Sequence, residues 1–126
     1  MGTRITVLVT GVGGCGVGEG IAKSILMLRD DYRLVAVNMH ADAPILFRAD
    51  TSYLVPHATA PGYMAALQHI CEKERVEVLI PGSESELRVL SPKESAIKDW
   101  GVLLLANPAQ VVEIGDDKWS TYNFLR

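Results

Sequence analysis

Nowhere in this sequence do two Lys or Arg residues stand side by side, and the net charge is −3. Phosphate-rich partners need a concentrated basic footprint, so nucleic acid is not an expected partner. Only two cysteines occur, Cys15 and Cys71. Two thiols make no disulfide framework, and a reducing cytoplasm is the expected setting. No apolar run approaches the length of a membrane span, and no basic segment leads into an apolar one at the N-terminus, so neither a membrane nor a secretory leader is expected. Histidine is scarce, at three residues. His40 and Asp42 give only two candidate ligands on one loop, too few for a metal, while His57 and His69 read as loop and helix-surface residues. Aromatics make up 6 % of the chain, so Trp100, Trp119 and Tyr122 read as packing anchors rather than a base-stacking platform. Met1-Gly2 with Thr6 fits a loose N-acylation pattern. Thr6 falls inside the first expected strand, however, where a flexible lipidated arm has no place.

What is present suits one domain around one core: 126 residues, 48 % hydrophobic and 21 % charged. Short apolar runs alternate with amphipathic stretches from start to finish. Ile5 to Val9, Leu34 to Val37, Tyr53 to Val55, Val76 to Pro81 and Val102 to Leu105 read as strands, nearly all apolar, as when both faces are covered. Between them, Ile21, Ile25 and Leu28 repeat at helical spacing, as do Met64, Leu67 and Ile70 with Cys71 after Pro61. Ser83 with Glu86, Ser91 with Glu94, and Asn107 with Gln110 carry the capping-box spacing. Pro92 and Pro108 fit the first helical position, and Gly101 follows Trp100 as a helix stop. A last helix is expected from about Asp117. Strand–helix alternation with short connections predicts an α/β, Rossmann-like doubly wound parallel sheet of about five strands, with helices on both faces.

Six of the eleven glycines lie between positions 11 and 20, directly after the first strand and before a helix. Gly11, Gly13 and Gly16 match G-x-G-x-x-G in the context that motif needs, and Gly14 adds to the loop's openness. Such a loop lets backbone N–H groups approach an anion or polar ligand at the positive end of a helix; the bland account is a tight turn with close helix–strand packing. A dinucleotide site usually adds an acidic residue at the end of the second strand, where this sequence has Asn38. Across the expected switch point stands Pro81-Gly82-Ser83-Glu84-Ser85-Glu86, at the end of the fourth strand. Ser83, Glu84 and Glu86 are candidate substrate-binding groups there, with capping as the alternative role of Glu86. Cys15 has no His or second Cys beside it in sequence and is not expected to be a nucleophile.

Taken in order, Val7 to Gly14, Ala49-Asp50 before Tyr53-Leu54-Val55-Pro56, Leu79 to Glu84, and Gly115-Asp116-Asp117-Lys118-Trp119 resemble the N-terminal, pre-ATP-grasp domain of carbamoyl-phosphate-synthase-like ATP-grasp proteins. Biotin carboxylase is a more distant relative. The resemblance covers essentially the whole chain and implies residues 1–115 as a pre-ATP-grasp Rossmann-like domain, with 116–126 beginning the connection to an ATP-grasp domain, in cis or on a separate chain. It implies a ligase in which ATP and Mg2+ phosphorylate a small-molecule carboxylate and an amine or thiol displaces the phosphate. It implies no tightly bound cofactor on this piece and no catalysis by it alone, and it leaves a homodimer open. By the biotin carboxylase pattern, Lys118 would contact ATP, although Gly115-Asp116 precedes it with one extra residue. The competing function is a stand-alone module for a dinucleotide or another phosphate-bearing metabolite, which the G-x-G-x-x-G match favours and Asn38 disfavours.

Overall fold

The computed structural model describes residues 2–126. Five parallel strands form one sheet: β1 (Ile5–Val9), β2 (Tyr32–Asn38), β3 (Thr51–Leu54), β4 (Val78–Ile80) and β5 (Leu103–Leu104), in the order β3-β2-β1-β4-β5. From β1 the chain builds outward through β2 to β3, then returns to place β4 on the other side of β1. The switch point therefore lies between β1 and β4, where the sequence pattern predicts it. Strand positions fall close to the expected runs, and Thr6, of the acylation pattern, is buried within β1. Met1 lies outside the described residues.

Side chains alternate across the sheet and feed two cores. Val7, Val9, Leu34 and Ala36 pack against α1 (Val17–Leu26) and α2 (Pro44–Arg48). Leu8, Val35, Val37 and Leu79 pack on the opposite face. That face is covered by α3 (Tyr63–Glu74), α4 (Glu84–Leu90) and α5 (Glu94–Asp99). Leu8 is fully buried at the centre, and truncating such a residue to Ala typically costs about 2–5 kcal/mol. The α1 face is covered unevenly. There Val78 and Ile80 of β4 are only partly buried against the core, leaving an apolar groove of about 390 Å³ bordered by Ile25, Leu28, Ile80 and Leu105.

Local signals hold in part. Gly101, at φ +79°, ends α5 as expected, and Asp117 caps α7 (Lys118–Phe124) through a 2.7 Å bond from the Ser120 N–H. Two expected caps are not formed. Ser91 has helical dihedrals because α4 runs on through a 3-10 turn (Ser91–Lys93) into α5. Its side chain thus cannot reach forward, and its buried Oγ has no partner. Asn107 stands one residue too early, since α6 (Ala109–Asp116) starts from Pro108, which has no side-chain acceptor to offer. Helix α2 is too short to show periodicity and was not legible. Trp119 and Tyr122 are not packing anchors: their rings stack on one another at 5.6 Å and are mostly exposed.

Candidate functional site

The carboxyl ends of β1 and β4 are laced together. Thr10 donates its N–H to the Ile80 carbonyl at 3.1 Å, the Gly82 N–H donates to Thr10 Oγ1 at 3.1 Å, and the Gly18 N–H donates to the Gly82 carbonyl at 3.0 Å. A side chain at Gly18 or Gly82 would run into the Thr10 backbone, so these two glycines are demanded by packing alone. Gly11 has φ +59°, and the space its missing Cβ leaves is filled by Oε2 of Glu86. The packing account of the Gly-rich loop thus holds for part of it.

Above this seam opens a crevice of about 200 Å³. The structure brings Gly11, Gly13, Ser83 and Glu86 together on its walls, with Asn38 and Ser85. Gly14, Gly16 and Glu84 do not line it. Gly14 is exposed at φ +79°, Gly16 precedes α1 in an extended conformation, and neither has an atom close to where a Cβ would stand. Glu84 is exposed on the first turn of α4. Lys118 is exposed at the start of α7 and is not a wall of the crevice. Its neighbours in the motif are engaged elsewhere: Asp116 pairs with Arg88 at 2.6 Å, and Asp117 caps α7.

Glu86 is the centre of the arrangement. It is 7 % exposed, yet it forms no salt bridge among the described residues. Its N–H donates to Ser83 Oγ at 3.4 Å, which is one leg of the expected capping box. The return leg differs. The carboxylate accepts the Ser83 hydroxyl at 2.7 Å on Oε2 and the Tyr63 hydroxyl at 2.9 Å on Oε1. Ser83 has one proton and gives it to Glu86, so Ser85 is the donor in the 3.2 Å contact between their hydroxyls. Burial first, and the Glu86 charge second, raise the Tyr63 phenol far above its ordinary range. Sequence reasoning missed Tyr63, whose partner is 23 residues away. Thr10 had a visible signal, a polar residue ending an apolar strand.

Asn38 closes the opposite wall. Its Oδ1 accepts the Gly13 N–H at 3.1 Å and its Nδ2 donates to the His40 carbonyl at 2.9 Å. Each end of the amide thus holds one of the two loops, and the side chain carries no charge where a ribose-binding residue is usually acidic. Of the remaining candidates, Cys15 is exposed and Cys71 buried, the latter with its thiol pushed up to about 12 by burial and then by the Glu72 charge. No group of three or more His, Cys, Asp or Glu among the described residues could hold a metal. No helix among them is long and apolar enough to cross a membrane.

The same fold occurs in solved structures. The biotin carboxylase domain of a single-chain bacterial carboxylase superposes at TM-score 0.66 and 17 % identity, over 97 % of this chain and 28 % of that one. The glycinamide-RNase-transformylase T of Mycobacterium tuberculosis does so at 0.64 and 16 %, over 94 % and 33 %. The dTDP-glucose 4,6-dehydratase of Bacillus anthracis str. Ames, in complex with NAD, gives 0.59 and 15 %, over 80 % and 36 %. The fold alone therefore does not choose between a ligase part and a nucleotide module. This chain spans about a third or less of the length of the first two. The sequence matches none of the curated proteins. Residues 7–105 match the model of the PylC-like, N-terminal domain, and the chain belongs to that family of pre-ATP-grasp domains.

Proposed function

We propose that this chain is the substrate-side N-terminal domain of an ATP-dependent carboxylate–amine or carboxylate–thiol ligase, working with an ATP-grasp region in cis or on a separate chain. The observation that carries this reading is that the family match over residues 7–105 contains the entire crevice, which is built at the carboxyl ends of β1, β2, β3 and β4. ATP would supply the activation of a carboxylate as an acyl-phosphate. The residues described here fit a supporting part in that chemistry. They hold no metal-ligand cluster, so magnesium is not assigned to this chain. Its own contribution is to form one side of a substrate cleft. The second reading, a dinucleotide module, has the G-x-G-x-x-G spacing in its favour, but Gly16 stands off the crevice and Asn38 is engaged internally.

Support also comes from the C-terminal end. Trp119, Tyr122, Phe124 and Leu125 are each more than half exposed along α7. An apolar strip of this kind suits a surface that another domain covers. Lys118 begins the same helix and would reach a nucleotide held by that domain. The test is ATP turnover in a protein that joins this chain to an ATP-grasp region. Lys118→Ala should weaken the apparent affinity for ATP at least about tenfold, as loss of a charge-assisted hydrogen bond implies, and should leave the fold of the 126-residue chain unaltered. Turnover by this chain alone, above a heat-inactivated control, would overturn the proposal.

A further inference from the structure

The crevice is built for a cation. No Lys or Arg lines it, and Glu86 is the one carboxylate on its walls. Three amides at the site are already committed: Gly13 N–H to Asn38, Gly82 N–H to Thr10 Oγ1, Glu86 N–H to Ser83 Oγ. Helix α4, at seven residues, is too short to act as an anion site, and its Ser83 cap takes the Glu86 N–H. Acceptors, by contrast, are in surplus. Each Glu86 oxygen takes one hydroxyl hydrogen bond and keeps lone-pair capacity for another. A carboxylate this deeply buried without a counter-ion is costly unless something positive joins it. Two hydroxyls alone do not neutralise it.

We infer that the crevice receives the ammonium end of an amine-bearing small molecule, with the Glu86 carboxylate as its counter-ion and the Ser85 hydroxyl oxygen as a second acceptor. The inference rests on the proposed function only in taking that molecule to be a ligase substrate. The phosphate or carboxylate end then lies outward, toward whatever covers the open side. Gly11 matters because a side chain there would displace Oε2, and Tyr63 matters because its hydroxyl holds Oε1 in place. These are positioning residues, and Glu86 is the one that touches the ligand.

The experiment is an amide chemical-shift titration of the 126-residue chain with n-butylammonium, butyrate and inorganic phosphate at constant ionic strength. Saturable shifts at Gly13, Ser85 and Glu86 with n-butylammonium, and none with the two anions, are expected. Glu86→Gln keeps the size of the side chain, and its amide oxygen still accepts one of the two hydroxyls while the charge is removed. It should lower the n-butylammonium affinity at least about tenfold with the rest of the spectrum unchanged. If that variant fails to fold, the selectivity of the unaltered chain for cation over anion still decides. Butyrate or phosphate shifting these amides while n-butylammonium does not would overturn the inference, as would a folded Glu86→Gln chain that binds the amine unchanged. Cation binding without ATP turnover in the joined protein would remove the ligase reading and keep this one. Turnover without cation binding would do the reverse.

Discussion

The Tyr63 hydroxyl donates to Oε1 of Glu86 at 2.9 Å, and neither residue is appreciably open to solvent. This single bond ties the first turn of α3 to the first turn of α4 beneath the crevice floor. It also makes stability at high pH a local readout. A group whose folded value lies above its unfolded one contributes fully below the unfolded value, and that contribution is lost as pH rises past it. The Tyr63 phenol, raised from an ordinary 10.0, and the Cys71 thiol, raised from 9.0, both act in this sense. The melting temperature should therefore fall as pH rises above 9. Tyr63→Phe should cost about 1–3 kcal/mol at neutral pH by leaving a buried acceptor short of a donor, while making the alkaline decline shallower. An unchanged alkaline slope in that variant would show that Tyr63 does not govern it.

At the acid end the governing group is Glu74. Its carboxylate accepts from the Tyr53 hydroxyl and lies 2.5 Å from Arg33 Nη2, which also reaches Thr51 at 2.8 Å. The Tyr53 bond first, and Arg33 second, hold its pKa below the ordinary 4.5. Asp50 behaves alike: burial pushes it up, but the Leu34 N–H and Arg4 outweigh that and bring it below 3.8. A lowered folded value gives stability that is present above the unfolded value and lost as pH falls through the folded one. Denaturation midpoints should drop below pH 4.5, and Glu74→Gln should flatten that drop when midpoints are measured across the range.

The glycines of the seam divide sharply. Gly82→Ala drives a methyl into the Thr10 backbone, which directly follows the central strand and is held by the Ile80 carbonyl, so a loss of about 3 kcal/mol is expected. Gly20→Ala meets open space on the exposed side of α1 and should gain about 0.5–1 kcal/mol from helix propensity. Chemical denaturation of both variants measures the pair. Equal effects would mean the close approach at Gly82 is relieved by movement of the whole loop.

Nicotinamide dinucleotides should bind weakly or not at all, because Asn38 presents no charge to a ribose and is already bonded to Gly13 and His40. Asn38→Asp should not restore binding. It removes the donor to the His40 carbonyl and sets a carboxylate against it, costing about 1–3 kcal/mol. Calorimetry with NAD on both chains checks this, and low-micromolar affinity in either would revive the dinucleotide reading.

The parallel sheet and its switch point were legible because they follow from strand–helix alternation and from where the glycines fall. The strands read well because β1 and β2 are apolar on both faces, a pattern that survives any detail of packing. Caps fared unevenly. Ser83 caps as its spacing implies and Asp117 caps the last helix where its start was expected, whereas Ser91 was absorbed into a continuous helical path and Asn107 was displaced by Pro108. Spacing names a donor and an acceptor, but the dihedral angles of the cap decide whether they meet. Within the site, the Ser83–Glu86 link was legible for the same local reason. The Tyr63 contact was not, since nothing local distinguishes a buried phenol from any other helix-start aromatic. Trp119 and Tyr122 misled because aromatic content suggests burial, while here the rings stack on one another, with Arg126 over Tyr122, and stay exposed.

Thr10 and Gly82 lie 72 residues apart, and their hydrogen bond joins the two walls of the crevice. Neither half of the chain owns the site. Closing such a long loop is a late and slow event in folding, so no partly folded form offers a half-built version of the crevice. A molecule seated there spans elements that come apart only when the whole sheet does. Its binding free energy is then added in full to global unfolding, by RT ln(1 + [L]/Kd) for a ligand that ignores the unfolded chain. Amide exchange should reveal this as protection spread over all of β1, β2 and β4, well beyond the residues that touch the ligand.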